Sequence, residues 1–198
     1  MRDLSRKHLS RILFVLLVIG VVGASLGVAS NAIWTDSQNV DANVFSTGTI
    51  DISTNPTTAL VTFSGMAPGD QVTNPITVTN AGSLQLRYAV TSTTTENTLA
   101  AQLDMTIKTG VTTCTNAGFG VDGTVIYGAG DLGSTTPGIN VIGNPAQGFQ
   151  VGDRTLNASA NEILCFHVLL PGTTGNSFQG LTTTATFAFA AEQTNSNP

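Results

Sequence analysis

The sequence predicts an all-β protein: a two-sheet antiparallel β-sandwich of jelly-roll type, with a possible short helix and a glycine-rich insert. Three observations support this fold. Apolar and polar residues alternate at period two, abundant threonine suits strands through β-branching, and turn signals separate the alternating runs. No fixed repeat of about 20 to 50 residues is present, which excludes a solenoid or a propeller.

The alternation predicts several strands in chain order, and in each strand the apolar residues fall on one face. Such strands are typical of half-buried antiparallel sheets. The apolar positions are Ile50 and Ile52, Val61 and Phe63, Ile76 and Val78, Leu84 to Val90, and Ala185 to Ala191. Turn residues at 68–70, 80–82 and 171–172 separate these runs.

Three stretches depart from simple alternation. Residues 162–170 are apolar on both faces, which predicts a central strand. Residues 99–107 fit both a helical and a strand spacing, so we expect a short helix or an irregular strand. The glycine-rich stretch 110–152 predicts a hairpin around Asp122 and Gly123 with long loops, or else a surface decoration.

The N-terminal residues have the pattern of a secretory signal peptide. Four basic residues come first: Arg2, Arg6, Lys7 and Arg11. An apolar run at 12–23 and a small-residue site at 30–32 follow them. We predict a signal peptide over residues 1–32, cleaved by signal peptidase between Ala32 and Ile33, with cleavage after Ser30 as the alternative. The weakly apolar residues through Ala29 also allow an uncleaved membrane anchor, the one membrane contact that we predict.

Length and charge limit the functions open to the chain that follows the predicted signal peptide. Without residues 1–32 the chain has 166 residues (198 minus 32), which suits one domain. We predict an extended segment over 33–46 and a sandwich domain over 47–198. Three basic against eleven acidic residues leave a net charge of −8 (3 minus 11), so we predict no binding to nucleic acid or to anionic lipid.

Several motifs resemble the TasA/camelysin family. Trp34-Thr35-Asp36 follows the small-residue site, and the Asn-x-Phe-x-Thr-Gly-Thr-Ile-Asp-Ile motif follows at 43–52, as in the SipW-type leader and mature start of that family. The stretches 66–70, 76–84, 170–180 and 186–193 resemble its later turns and strands. Trp34 in place of the usual Phe and the 110–152 stretch depart from the pattern. The resemblance implies a secreted sandwich protein that builds extracellular fibres in biofilm matrix.

Cys114 and Cys165 are the only cysteines. Because disulfides persist outside the cell, we predict that these two residues pair. The alternative is two buried free thiols, and the spacing does not match a zinc knuckle.

We predict no catalytic residues, cofactor or metal. Camelysin is described as a metalloendopeptidase, but after the leader His167 is the single histidine, and no His-Glu-x-x-His motif accompanies it. Asp51 and Asp70 offer oxygens for Ca²⁺, yet Asp70 in its turn is better suited to cap backbone N–H groups. Asn157 begins an N-glycosylation triplet.

The segment after the leader suggests a way to assemble. It is polar but carries five apolar residues, Ile33, Trp34, Val40, Val44 and Phe45. An extended segment without a hairpin partner could add a strand to an open sheet edge of the next subunit, and such head-to-tail contacts build fibres. We therefore predict a homopolymer, with other matrix or cell-surface components as further partners.

Three alternatives to this fibre remain. The segment could be the first strand of its own sandwich, which would leave a monomer. The protein could be a camelysin-like surface metalloendopeptidase. It could also be a monomeric surface adhesin.

Overall fold

The computed structural model describes residues 8–19, 46–57 and 65–195, and the chain divides into two units, Met1–Phe45 and Ser46–Pro198. In the first unit, residues 8–19 form a helix, α1, with exposed apolar side chains. No helix within the described residues is long and apolar enough to cross a membrane. The predicted cleavage site at Ala32 and Ile33, the 33–45 segment and the strand at Val61 and Phe63 lie outside the described residues.

The second unit is a two-sheet antiparallel β-sandwich, which confirms the predicted fold class. Its strands are β1 (Ile52–Asn55), β2 (Gln71–Asn80), β3 (Leu86–Thr94), β4 (Asp104–Thr109), β5 (Thr124–Asp131), β6 (Ile139–Ile142), β7 (Arg154–Leu156), β8 (Asn161–Leu169) and β9 (Ala185–Gln193). A short helix, α2 (Thr98–Gln102), and one 3₁₀ turn (Asn176–Phe178) complete the described elements.

The two sheets have different strand orders. The five-stranded sheet has the order β1-β2-β8-β4-β5, so β8 is central, as its apolar residues predict. In the four-stranded sheet, β9 pairs with β3 along its whole length, and β7 and β6 share the other side of β3. All the strand pairs are antiparallel, apart from one isolated parallel bridge between Thr93 and Ser134.

The core lies between the inner faces of the sheets. The alternating residues of β2, β3 and β8 are buried there, with Val78, Leu86 and Phe166 at 0% exposure. Phe166 of β8 meets Phe187 of β9 edge to face, with ring centroids 5.0 Å apart. Period two in the sequence therefore correctly identified the inward faces of β2 and β3, whereas β8 was predicted only as a central strand.

Residues 99–107 contain both of the predicted elements in succession. The Glu96 carboxylate accepts hydrogen bonds from the N–H groups of Thr98 and Leu99 at 2.6 and 2.9 Å, which starts α2. Burial opposes ionisation of Glu96, but these bonds and others lower its pKa overall. The helix ends at Gln102, and β4 begins at Asp104.

The glycine-rich stretch is part of the sandwich, so its interpretation as a surface decoration is wrong. It supplies β5 and β6, and it places Leu132, Val141 and Ile142 in the core. The expected hairpin exists as the pair β4 and β5, but it is not a tight turn at Asp122 and Gly123. These two residues instead close a long loop, residues 110–123, that connects the two strands.

Candidate functional site

Loop 110–123, which we name the strap, lies on the outer face of the five-stranded sheet. Cys114 of the strap forms a disulfide with Cys165 of β8, with the Cα atoms 5.6 Å apart. Cys165 is 1% exposed, whereas Cys114 is partly exposed. A further hydrogen bond, from Asn116 Nδ2 to the Gln71 carbonyl at 2.9 Å, attaches the strap to β2.

His167 lies two residues beyond Cys165 on the same face of β8, beneath the strap. Its Nδ1 is hydrogen-bonded to Thr73 Oγ1 at 2.7 Å, and its ring stacks on Phe119 of the strap with centroids 4.5 Å apart. Lys108 of β4 donates from Nζ to the Phe119 carbonyl at 2.7 Å, and its Nζ lies 4.5 Å from the centre of the Phe119 ring. The strap is thus held by a disulfide, a ring stack and an ammonium group.

The surroundings of His167 favour its neutral form. Burial lowers its pKa, and the positive charge of Lys108 lowers the pKa further. A neutral imidazole can ligate a metal, but its neighbours here are a hydroxyl, a phenyl ring and a cation, and a cation opposes a bound metal ion. The residues around His167 therefore do not fit a zinc ligand set.

No group of three His, Cys, Asp or Glu residues placed to hold a metal occurs within residues 8–19, 46–57 and 65–195. Asp70 caps its turn, since its Oδ2 accepts a hydrogen bond from the Ala67 N–H at 2.7 Å. Asp51 is exposed, and its backbone carbonyl accepts a hydrogen bond from the Ala81 N–H at 2.8 Å. The two aspartates considered as calcium ligands thus lie in different places: Asp70 in the turn before β2, and Asp51 in the segment before β1.

The edge strands of the two sheets differ in regularity. β5 pairs with β4 through two register shifts, and Ala129 within it has a left-handed φ of 36°. β9 pairs with β3 in one unbroken register, and within the described residues its other edge has no partner strand. A bulged edge resists strand addition, whereas a regular unpaired edge accepts it.

The inward face of β9 is incompletely covered. The residues that point toward the core, Ala185, Phe187, Phe189 and Ala191, are only partly buried. β5 contacts β6, so these two strands lie at the same side of the sandwich, and β9 and β1 lie at the other. This second side is the candidate site for a further strand.

Residues 143–153, which we name the β6–β7 loop, lie over the part of the four-stranded sheet's outer face that contains Arg87 and Glu192. The Asp153 carboxylate accepts hydrogen bonds from the N–H groups of Asn144 and Gln150 at 3.0 and 2.8 Å. Glu192 of β9 accepts one from the Gly148 N–H at 3.3 Å and forms a 2.6 Å ion pair with Arg87 of β3. Arg87 is consequently 6% exposed, although alternation placed it on a polar face.

Sequence reasoning missed two buried polar groups that organise the domain. Asn80 is 0% exposed, and its Nδ2 donates to the carbonyls of Leu84, Leu156 and Asn157 at 2.8, 3.1 and 3.0 Å. Its Asn-x-Gly turn was the signal that could have identified it. The second is the Tyr88 hydroxyl, which donates to Glu162, as Arg154 also does. Burial raises the pKa of Tyr88, and the nearby Glu162 carboxylate raises it further.

The fold and the strap define the class of protein: a small all-β sandwich domain with a disulfide-pinned loop on one outer face. The chain belongs to the camelysin metallo-endopeptidase family, whose model matches residues 11–198. This match confirms the family resemblance, and it supports a protein of the cell surface or the secreted fraction. Among curated proteins, no significant sequence match is found.

The structure brings together only part of the predicted site residues. Cys114 and Cys165 meet in the disulfide, whereas Ile33, Trp34, Val40, Val44 and Phe45 lie outside the described residues. No sequence pattern grouped Thr73, Lys108 and Phe119 around His167, because they come from β2, β4 and the strap.

Proposed function

We propose that the protein is a secreted structural subunit of extracellular fibres or matrix, exported by a signal peptide over residues 1–32. In this proposal subunits join head to tail, and residues 33–45 of one copy add a strand to β9 of the next. The observation that carries the proposal is β9 itself, a nine-residue edge strand in regular register with half-buried phenylalanines. An added strand would form a hydrogen-bond ladder along this edge, which has no partner strand among the described residues, and would cover these rings.

The donor segment matches this acceptor in length and pattern. Residues 33–45 outnumber the nine residues of β9, so they can pair along its whole edge. Val40, Ala42 and Val44 alternate with polar residues, which would place three apolar side chains on one face of an added strand. One such contact per subunit generates an open filament unless the ring closes.

Negative-stain electron microscopy tests the proposal with two purified forms, one that begins at Ile33 and one that begins at Phe45. We expect filaments from the longer form alone, because the shorter form lacks the donor segment. A synthetic peptide of residues 33–44, added to the shorter form, should slow hydrogen exchange in β9. The same peptide with Val40→Asp and Val44→Asp serves as the matched control. Globular particles from both forms, across salt and pH, would refute strand donation.

The family description favours a second candidate, a metalloendopeptidase of the cell surface. This candidate predicts that the purified protein cleaves casein. Both a chelator and the substitution His167→Ala should abolish that activity. We propose the structural role instead because the residues around His167 do not fit a zinc ligand set. Chelator-sensitive cleavage by the purified protein would reverse this choice.

A further inference from the structure

We propose that the Cys114–Cys165 disulfide is a reversible thiol-exchange site, that Cys114 is the sulfur attacked, and that its reduction releases the strap from a sandwich that stays folded. The reductant is an external dithiol, either a small molecule or a dithiol protein. This inference does not depend on fibre assembly. It follows from the unequal exposure of the two cysteine residues and from the position of the strap outside the hydrophobic cluster.

The two cysteines present unequal targets. Cys165 is 1% exposed within the central strand, where it is flanked by its register partners Pro75 of β2 and Lys108 of β4. Cys114 is partly exposed and belongs to a loop between strands. Access limits the rate of thiol–disulfide exchange, so an incoming thiolate reaches Cys114 first.

The leaving sulfur also favours this direction. Paired residues on adjacent strands share a face, so Lys108 places its positive charge on the face from which Cys165 would leave. A nearby cation stabilises a thiolate, and a better leaving thiolate accelerates exchange.

The exchange balances in two steps. A thiolate of the dithiol attacks Cys114 Sγ, a mixed disulfide forms at Cys114, and Cys165 leaves as a thiolate that takes a proton from water. The second thiolate of the dithiol then attacks the dithiol's first sulfur in the mixed disulfide. This step expels Cys114 as a thiolate, which is protonated in turn. The protein gains two electrons and two protons, and the dithiol becomes a disulfide.

The sandwich should survive this release because the strap packs outside the core. None of Cys114, Phe119 and Cys165 belongs to the hydrophobic cluster between the sheets. The remaining attachments of the strap are the ring stack on His167 and hydrogen bonds from Lys108 and Asn116. The strands beneath keep their ladders, so opening is local rather than global.

Hydrogen exchange on the purified full chain tests the release. The strap has amides with internal hydrogen bonds, such as Phe119 N–H to the Thr115 carbonyl at 2.9 Å, so its protection can be measured. After reduction with dithiothreitol and alkylation, we expect strap amides to exchange at least about tenfold faster, while β3 and β8 stay folded and exchange only as fast as the lower global stability allows. The pKa of His167, followed by NMR, should return toward its ordinary value once the strap no longer buries the ring.

A brief exposure to glutathione tests the direction of attack. After an acid quench, peptide mapping should find the glutathione adduct on Cys114. Three results would overturn the proposal: an adduct on Cys165, unchanged strap protection after reduction, or exchange in β3 and β8 as fast as in the unfolded chain. The double variant Cys114→Ala, Cys165→Ala should show the released strap without any reductant, and it should not respond to dithiothreitol.

Discussion

The strap and the β6–β7 loop come from the same glycine-rich segment and each cover one outer face of the sandwich, but different interactions hold them. The strap depends on a covalent bond between Cys114 and Cys165, with an aromatic stack beside it. The β6–β7 loop depends on the carboxylates of Asp153 and Glu192, which accept backbone N–H groups. A covalent attachment can be switched by redox chemistry, whereas carboxylate attachments respond to charge and pH.

Breaking the covalent attachment should have the largest effect on stability. The disulfide joins residues separated by 51 positions, and the loop-entropy model gives about 4 kcal/mol for a loop of that size. We expect Cys114→Ser with Cys165→Ser to lower the free energy of unfolding by this amount, as measured by urea denaturation. Reductant should lower the stability of the parent protein to that of the variant and leave the variant unchanged. A loss below about 1 kcal/mol would remove the distinction between the two loops.

Glu192→Gln should have the next largest effect, because it removes the charge that anchors the β6–β7 loop. The substitution removes the negative charge that pairs with Arg87, and the side chains of Arg87 and Glu192 are 7% and 26% exposed. Breaking buried pairs is costly, and partial exposure of Glu192 reduces the expected loss to about 2 kcal/mol. The exposed Asp51→Asn is the matched control. Equal stabilities of these two variants would show that the ion pair does not hold the loop.

Asp153→Asn tests the second carboxylate and should cost less, about 1 kcal/mol, since the amide retains one of the two acceptor oxygens. Hydrogen exchange should accelerate at Asn144 and Gln150, whose N–H groups bond to Asp153. The strap should keep its exchange rates, because the two loops lie on different faces. Faster exchange in the strap would show that the loops are coupled.

The smallest effect should be the change in domain stability with pH that arises from His167 beneath the strap. The folded pKa of His167 lies below its ordinary value of 6.5, so the unfolded chain binds more protons near that pH. Stability contributed by neutral His167 is complete above about pH 6.5 and falls as pH drops toward the folded pKa. Denaturation between pH 5 and 7 should show this slope in the parent protein and a weaker one in His167→Gln. A slope that survives the substitution would assign it to other groups.

These loops also show where sequence reasoning succeeds and fails. Period two predicted the inward faces of β2, β3 and β9, because alternation follows from strand geometry alone. The same rule failed for Arg87, which is buried because a loop from a distant part of the chain covers it. Glycine-rich composition predicted long loops but could not show which outer face each of them covers.

The candidate site was less predictable than the fold. The pairing of the two cysteines was predicted from the expected secretion, with two free thiols as the alternative, and the disulfide confirms it. Phe119, Lys108 and Thr73 become neighbours of His167 only after three elements assemble, and no local spacing records that assembly. Asn80 was visible as a turn residue, but its bonds to the carbonyls of Leu156 and Asn157 need the end of β7 and the β7–β8 turn to be in place.

The position of β9 in the chain bears on the order of events during biosynthesis. β9 is the last of the nine described strands in chain order, and its partner β3 precedes it by about a hundred residues, as the pair Leu86 and Gln193 shows. Contacts of such long range form late and slowly. A chain that is synthesised from its N-terminus therefore completes the pair of β3 and β9 only after every other described strand has appeared. If subunits join as proposed, this delay would keep a nascent chain from accepting a neighbour's strand before its own sandwich has closed.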